Sequence, residues 1–348
     1  MTTEASAAGL ESADRLPAYT PCSSVSRCPS RTPRFTNPAL SRRLVASTRQ
    51  ESEEEEEQDY AGLLKKTWKI YSLSPLYKFN SSKACLTKYG RSLDVAFQIT
   101  TRGWNTEASG NEKSSFSIYE GLNFHHNDAE AVQIQVVEKS GSGVTSIVLN
   151  AFLICVDLDS SPVPEHLLST FTYFPVALIS GNKARTDVLL NWLEQHFDCQ
   201  TSPVSFSNND LRWMLAMWSS QAVARKAFPV LLQYSLADVC DGISTINCKF
   251  EAEFCTELWE RLHGSVSSRE AVSMSEVDQF VSALEEHLEY TMHIVFSKLC
   301  LSEVGTSVAY VSRQGKLKLF SNSGVFAALH LICEIVKDRF QEISCVLT

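Results

Sequence analysis

The stretch Ala131-Val132-Gln133-Ile134-Gln135-Val136-Val137 alternates apolar and polar side chains, and beyond Ser140-Gly141-Ser142-Gly143 a second apolar run follows over 144–156. Period two is the signature of an extended strand, in which alternate side chains share a face. Two such runs joined through a Gly-containing turn fold back as an antiparallel hairpin. A chain holding this unit must build an antiparallel or mixed sheet around it. Phe116-Ser117-Ile118-Tyr119 shows the same alternation, and 171–179 reads as a further strand that Pro175 places at an edge or a bulge. Strands are also predicted at 202–206, 229–236 and 243–250. The segment 290–312 reads as extended, Arg313-Gln314-Gly315 as a hairpin turn, and Lys316-Leu317-Lys318-Leu319-Phe320 as a half-exposed strand.

Helical spacing alternates with these strands. Leu63, Leu64, Trp68 and Tyr71 predict a short amphipathic helix over 60–71, ended by Ser74-Pro75. Further helices are predicted at 84–99, 183–197, 208–227, 252–263, 275–289 and 324–338. The 208–227 helix can be capped by Asn208, Asn209 or Asp210 and carries Leu211, Trp213, Met214, Leu215, Met217 and Trp218. An apolar surface that wide calls for burial. Hairpins outnumber strand–helix–strand units, so the predicted class is α+β, with antiparallel or mixed, curved sheets and packed helices.

Charge divides the chain. Residues 1–50 hold seven Arg against three acids, and 51–59 hold six Glu and Asp59. The tail to residue 58, rich in Ser, Thr, Pro and Arg, lacks apolar periodicity and is expected to be disordered, with the Glu run as a solvated spacer. Thr20 and Thr32, each followed by Pro, are candidate proline-directed phosphorylation sites. Two α+β lobes are expected beyond the tail, 59–190 and 191–348. The net charge is −9. An acidic folded part argues against an autonomous nucleic-acid binder, since neutralising phosphates dominates that affinity. No apolar run suits a secretion signal or reaches the roughly 18 residues of a membrane span, so a soluble intracellular protein is expected.

Catalytic signatures are missing: no Walker loop, dinucleotide fingerprint, HExxH or GxSxG occurs. His125-His126 suits one metal poorly, because neighbouring residues on a strand point to opposite faces. Eleven cysteines stand singly, without a CxxC pair, and read as reduced core residues. A cysteine-dependent enzyme has no support beyond that count. Cys345-Val346-Leu347-Thr348 has the outline of a prenylation motif, but Thr is not a preferred last residue and no polybasic run precedes it. No cofactor or metal is expected.

Between Asp59 and Asp94 the chain carries Lys65, Lys66, Lys69, Lys78, Lys83, Lys88 and Arg91 and no acid, with Trp68, Tyr71, Tyr77 and Tyr89 interleaved. Such a stretch can bind a phosphate backbone or an acidic partner, or serve as a solvated face balancing the acidic spacer.

Leu63-Leu64-Lys65-Lys66-Thr67-Trp68-Lys69-Ile70-Tyr71-Ser72-Leu73-Ser74-Pro75-Leu76-Tyr77-Lys78-Phe79 resembles the start of the folded region of the centromere protein L family. Trp192, Phe197-Asp198-Cys199, Ser202-Pro203 and the run Leu211-Arg212-Trp213-Met214-Leu215-Ala216-Met217-Trp218 continue the resemblance. Thr306-Ser307-Val308-Ala309, Gly315-Lys316-Leu317-Lys318 and the last helix complete it, in order over about 63–338. The resemblance implies a non-enzymatic subunit of the inner kinetochore, in the nucleus at the centromere. It implies pairing with centromere protein N, assembly with other inner-kinetochore subunits, and shared custody of the centromeric nucleosome and its DNA. Strands 304–311 and 316–320, through Thr306, Val308, Tyr310, Lys316, Leu317, Lys318 and Phe320, would form the edge that receives the partner. The basic residues from Lys65 to Arg91 would be the contribution to a DNA groove. The competing readings are an autonomous DNA-binding protein and, with less support, a thiol enzyme.

Overall fold

The computed structural model describes residues 41–43, 60–104, 112–122, 128–139, 144–156, 165–167, 169–219, 228–236, 242–263 and 271–347. The elements run β1 (Ser41–Arg43), β2 (Thr67–Leu73), β3 (Leu76–Tyr77), α1 (Lys83–Trp104), β4 (Glu112–Tyr119), β5 (Ala131–Lys139), β6 (Thr145–Ile154), β7 (Phe171–Thr172), β8 (Val176–Gly181), α2 (Lys183–Phe197), β9 (Thr201–Pro203) and α3 (Asn208–Ser219). They continue with β10 (Val230–Ser235), β11 (Thr245–Phe250), α4 (Ala252–His263), β12 (Ala271–Ser273), α5 (Met274–Met292), β13 (Cys300–Gly305), β14 (Ala309–Ser312), β15 (Lys316–Leu319) and α6 (Val325–Leu347).

One antiparallel sheet organises them, in the order β11-β10-β13-β14-β15-β2-β8-β6-β5-β4, with β9 also paired to β2. The α+β class and the β5–β6 hairpin follow the sequence pattern, although the turn at 140–143 lies outside the described residues. Residues 38–348 form one compact unit, and the expected lobe boundary at 190 falls within α2. Of the tail expected to be disordered, Ser41–Arg43 is instead a strand, β1, paired to β12. Asn208 does not cap α3: Ser207 does, accepting from the Asp210 amide at 3.2 Å while the Asp210 carboxylate takes the Ser207 amide at 2.7 Å. The strand expected over 171–179 is split: Pro175 separates β7 from β8, and β8 lies in mid-sheet between β2 and β6.

The main correction concerns 60–71. No helix forms there: Tyr60 starts a turn that accepts the Leu63 amide at 2.8 Å, and 67–73 is strand β2. Leu64, Trp68 and Tyr71 do have helical spacing, but parity decides the outcome. Trp68 and Ile70 fill one core, while Tyr71 and Leu73 fill another on the opposite face. A strand buried on both faces reads as a continuous apolar run, which short-range periodicity cannot tell from a helix.

The two cores flank the sheet. On one face, α3 to α6 cover Trp68, Phe152, Leu178, Leu317 and Leu319. On the other, α1 and α2 cover Tyr71, Ala151, Leu153, Ala177 and Ile179. Helix α1 buries Leu86, Tyr89, Leu93 and Phe97 and approaches β4 closely at Gly90, where an added Cβ would stand 2.9 Å from the Ser114 carbonyl oxygen.

Candidate nucleic-acid and partner interface

The second core contains no residue of β10, β11, β13, β14 or β15. Over those strands the sheet is helix-covered on one face, and among the described residues no helix covers the other. Because β2 alternates, Thr67 and Lys69 emerge on the face of Tyr71, at the margin of that core, where Lys69 stands opposite Ile179, and both are exposed. Registration then sets Lys316 opposite Lys69, Lys318 opposite Thr67, and Tyr310 opposite Lys318. Lys65 and Lys66, both exposed, sit just before β2; Lys65 has φ 59° and donates its amide to the Leu319 carbonyl at 3.0 Å.

Three lysines thus gather on this sheet face, Lys69, Lys316 and Lys318, and the exposed Lys65 and Lys66 stand on the turn that leads into β2. Lys69 and Lys316 form no salt bridge among the described residues. Like charges directly opposite one another across an antiparallel pair repel. The Lys69 ammonium lies 5.3 Å from the Tyr71 ring centroid and that of Lys318 lies 5.6 Å from Phe320, so aromatic faces steady part of the charge. One acid interrupts the face. Glu303 accepts a hydrogen bond from the Tyr310 hydroxyl, and burial together with that carboxylate pushes the phenol above its ordinary pKa. Further along, Lys249 stands opposite Leu231 and Asn247 opposite Gln233.

The basic stretch read as one unit is divided by the fold. Lys78 (φ 54°) follows β3 with its ammonium 4.8 Å from the Tyr77 ring centroid. Lys83, Lys88 and Arg91 are exposed on α1, over the other half of the sheet. Burial and the charge of Lys88 lower the pKa of His196 there. Conversely, Lys316 and Lys318, assigned to a partner edge from sequence, stand beside Lys69. Lys249 was missed, since its place on this face depends on long-range strand pairing.

The edge expected at 304–320 is interior. β13 pairs with β10 and β14, β14 with β13 and β15, and β15 with β14 and β2, so their backbone groups are already bonded. Thr306, Val308 and Leu317 are buried, while Tyr310, Lys316, Lys318 and Phe320 keep accessible surface. The sheet instead ends at β11 and β4. At β4 the Asp94 carboxylate takes the Ser114 amide at 2.5 Å. No strand pairs with the outer side of β11 among the described residues.

A family model, Centromere protein L, matches residues 62–342. The chain belongs to the centromere protein L family. It is 31% identical to centromere protein L of Mus musculus over 294 residues, covering 82% of this chain and 86% of that one. It is 30% identical to centromere protein L of Homo sapiens over 303 residues, 84% and 85% of the two chains. With centromere protein L of Danio rerio it shares 26% over 285 residues, 78% and 75%. Membership of the centromere protein L family supports a role at the centromere and kinetochore.

The chemistry of the described residues bears on the thiol reading. Cys155, Cys199, Cys248, Cys255 and Cys333 are buried. Burial pushes the thiols of Cys155 and Cys248 up, that of Cys199 up to about 11 and that of Cys255 up to about 12. A nucleophilic cysteine needs the opposite shift. Among the described residues no three His, Cys, Asp or Glu side chains stand together as a metal site, and no helix is long and apolar enough to cross a membrane. His125, His126, Thr20 and Thr32 lie outside the described residues.

Proposed function

We propose that the chain is a non-catalytic scaffold subunit of the inner kinetochore that pairs with centromere protein N and lays its open lysine face against the DNA of the centromeric nucleosome. The observation that carries this reading is the Lys69–Lys316 pair. Two facing cations on an uncovered sheet face cost the free chain stability and gain from an anion shared between them. The acidic total leaves the chain a contributor to such a groove, with the partner supplying further charge. Tyr310, Lys318 and Phe320 extend the contact surface, and Lys78, Lys83, Lys88 and Arg91 offer a second, weaker basic strip on α1. The centromere protein N strand adds at β11, whose outer backbone groups can accept one. Other inner-kinetochore subunits then join the pair, in the nucleus.

Light scattering after size-exclusion chromatography tests the pairing, on the chain alone and co-expressed with centromere protein N. A stable one-to-one complex is expected, and two independent peaks would overturn the partner assignment. For the face, duplex DNA binding by the complex is followed against salt. Replacing Lys69 and Lys316 by Ala should flatten the log–log slope by about 2, since each phosphate-binding lysine contributes roughly 1. An unchanged slope would move the DNA contact elsewhere, and steep, saturating binding by the lone chain would favour an autonomous DNA-binding protein.

A further inference from the structure

Strand β1 is three residues long, stands apart from the main sheet, and pairs with β12 in the register Ser41↔Ser273, Arg42↔Val272 and Arg43↔Ala271. Its central side chain is the most deeply placed cation described: Arg42 is 4% exposed. The guanidinium lies 3.0 Å from the Asp338 carboxylate and 3.2 Å from that of Glu334, two acids four residues apart on one face of α6. It also lies 5.5 Å from the centroid of the Trp213 ring on α3. Two helices thus converge on one planar cation whose backbone β12 holds, which suits the charge and the flat face of arginine better than the point charge of lysine.

The receiving strand is also anchored through the helix that follows it. Ser273, the last residue of β12, caps α5 in a reciprocal box with Glu276, and Glu276 is braced at 3.2 Å by His263 Nδ1. Val272 is fully buried. The fit to Arg42 is nevertheless incomplete. Among the described residues its Nε and Nη1 are buried without a hydrogen-bond acceptor, although Nη1 is within ion-pairing range of Glu334, and Glu334 Oε2 is buried without a donor. The slot matches the charge of its occupant while leaving hydrogen-bonding capacity unused, so another arginine reaching it on a different backbone can bond it better.

We infer that β12, the Glu334–Asp338 face of α6 and Trp213 form a binding site for an extended, arginine-bearing peptide, which the chain's own Ser41–Arg43 occupies and thereby closes. Recognition is by strand addition to β12 together with the arginine slot. The resident segment is carried on the same polypeptide, at an effective concentration on the order of millimolar. It therefore excludes dilute peptides until it is drawn away, and the site opens when the N-terminal region is engaged elsewhere. The inference does not depend on the centromere reading.

The probe is a fluorescent peptide of residues 36–47, followed by anisotropy on the full chain. The Arg42→Ala chain should bind it at least about tenfold more tightly than the unaltered chain, which carries its own competitor. A peptide bearing Arg42→Ala should not bind, and one bearing Arg42→Lys should bind at least about tenfold more weakly. Adding Glu334→Gln and Asp338→Asn to the Arg42→Ala chain should abolish binding while the circular-dichroism melt is retained. Should Arg42→Ala prevent folding, the unaltered chain with a specific protease site placed within 51–57 is folded and then cut. The labelled peptide should then exchange with the native segment, and its Arg42→Ala counterpart should not. Equal binding of the two peptides, or a native segment that leaves while no labelled peptide enters, would overturn the inference.

Discussion

Trp218 is fully buried in the core beneath α3, and its indole N–H has no acceptor among the described residues. Truncation to Ala should cost about 3–5 kcal/mol, through the burial forgone and the cavity left behind. Trp218→Phe should cost far less, because it keeps a ring and removes an unsatisfied donor; chemical denaturation of the two variants would show the difference. Glu276 behaves differently. Burial pushes its carboxyl up, but hydrogen bonds from the backbone and side chain of Ser273 and from His263 outweigh burial and hold the pKa below the usual range. A carboxyl depressed by folding stabilises above its unfolded pKa of about 4.3 and loses that contribution as pH falls through the folded value. Glu276→Gln should therefore lower Tm at neutral pH, and the difference should shrink towards zero as melts are run at progressively lower pH below about 4. At this scale the sequence was informative: the wide apolar surface of 208–227 announced burial, and Leu211 through Trp218 are buried apart from Arg212. It was silent on Arg42, one of many arginines in a polar tail, because its partners lie far along the chain, Asp338 being 296 residues away.

Among the elements, the strands with clean alternation and the helices with long periodic faces were legible. β5, β6, α1, α2, α4 and α5 stand where their patterns put them. β2 was not, because Trp68, Ile70, Tyr71 and Leu73 serve two cores, and two-sided burial erases the alternation that marks a strand. The same strand carries the most testable charge arrangement. Lys316→Glu converts a repulsive cross-strand pair with Lys69 into an attractive one. It should raise the stability of the free chain by roughly 0.2–1 kcal/mol and weaken DNA binding by the complex. A variant that lost both stability and DNA affinity would indicate a structural role for Lys316 instead.

In the whole molecule, the strand order could not have been read from sequence. β15 sits beside β2 across most of the chain, a pairing stabilised by tertiary packing and announced by no local signal. The lysine face depends on that pairing, which explains why Lys69 and Lys316 fell into different functional groups on sequence grounds. The shared sheet also couples the two cores. Trp218→Ala in one and Leu153→Ala in the other should each shift a single calorimetric transition for residues 38–348, whereas two resolved endotherms would mean separable halves.

The two ends of the sheet differ in kind. At β4, Gly90 brings α1 against the backbone and Asp94 takes the Ser114 amide, so an incoming strand finds its place already filled. Among the described residues β11 has no such guard. A ribbon stoppered at one end and open at the other cannot propagate by joining head to tail. It can accept one neighbour and then stop, which makes the molecule a terminus for assembly and a poor seed for fibres.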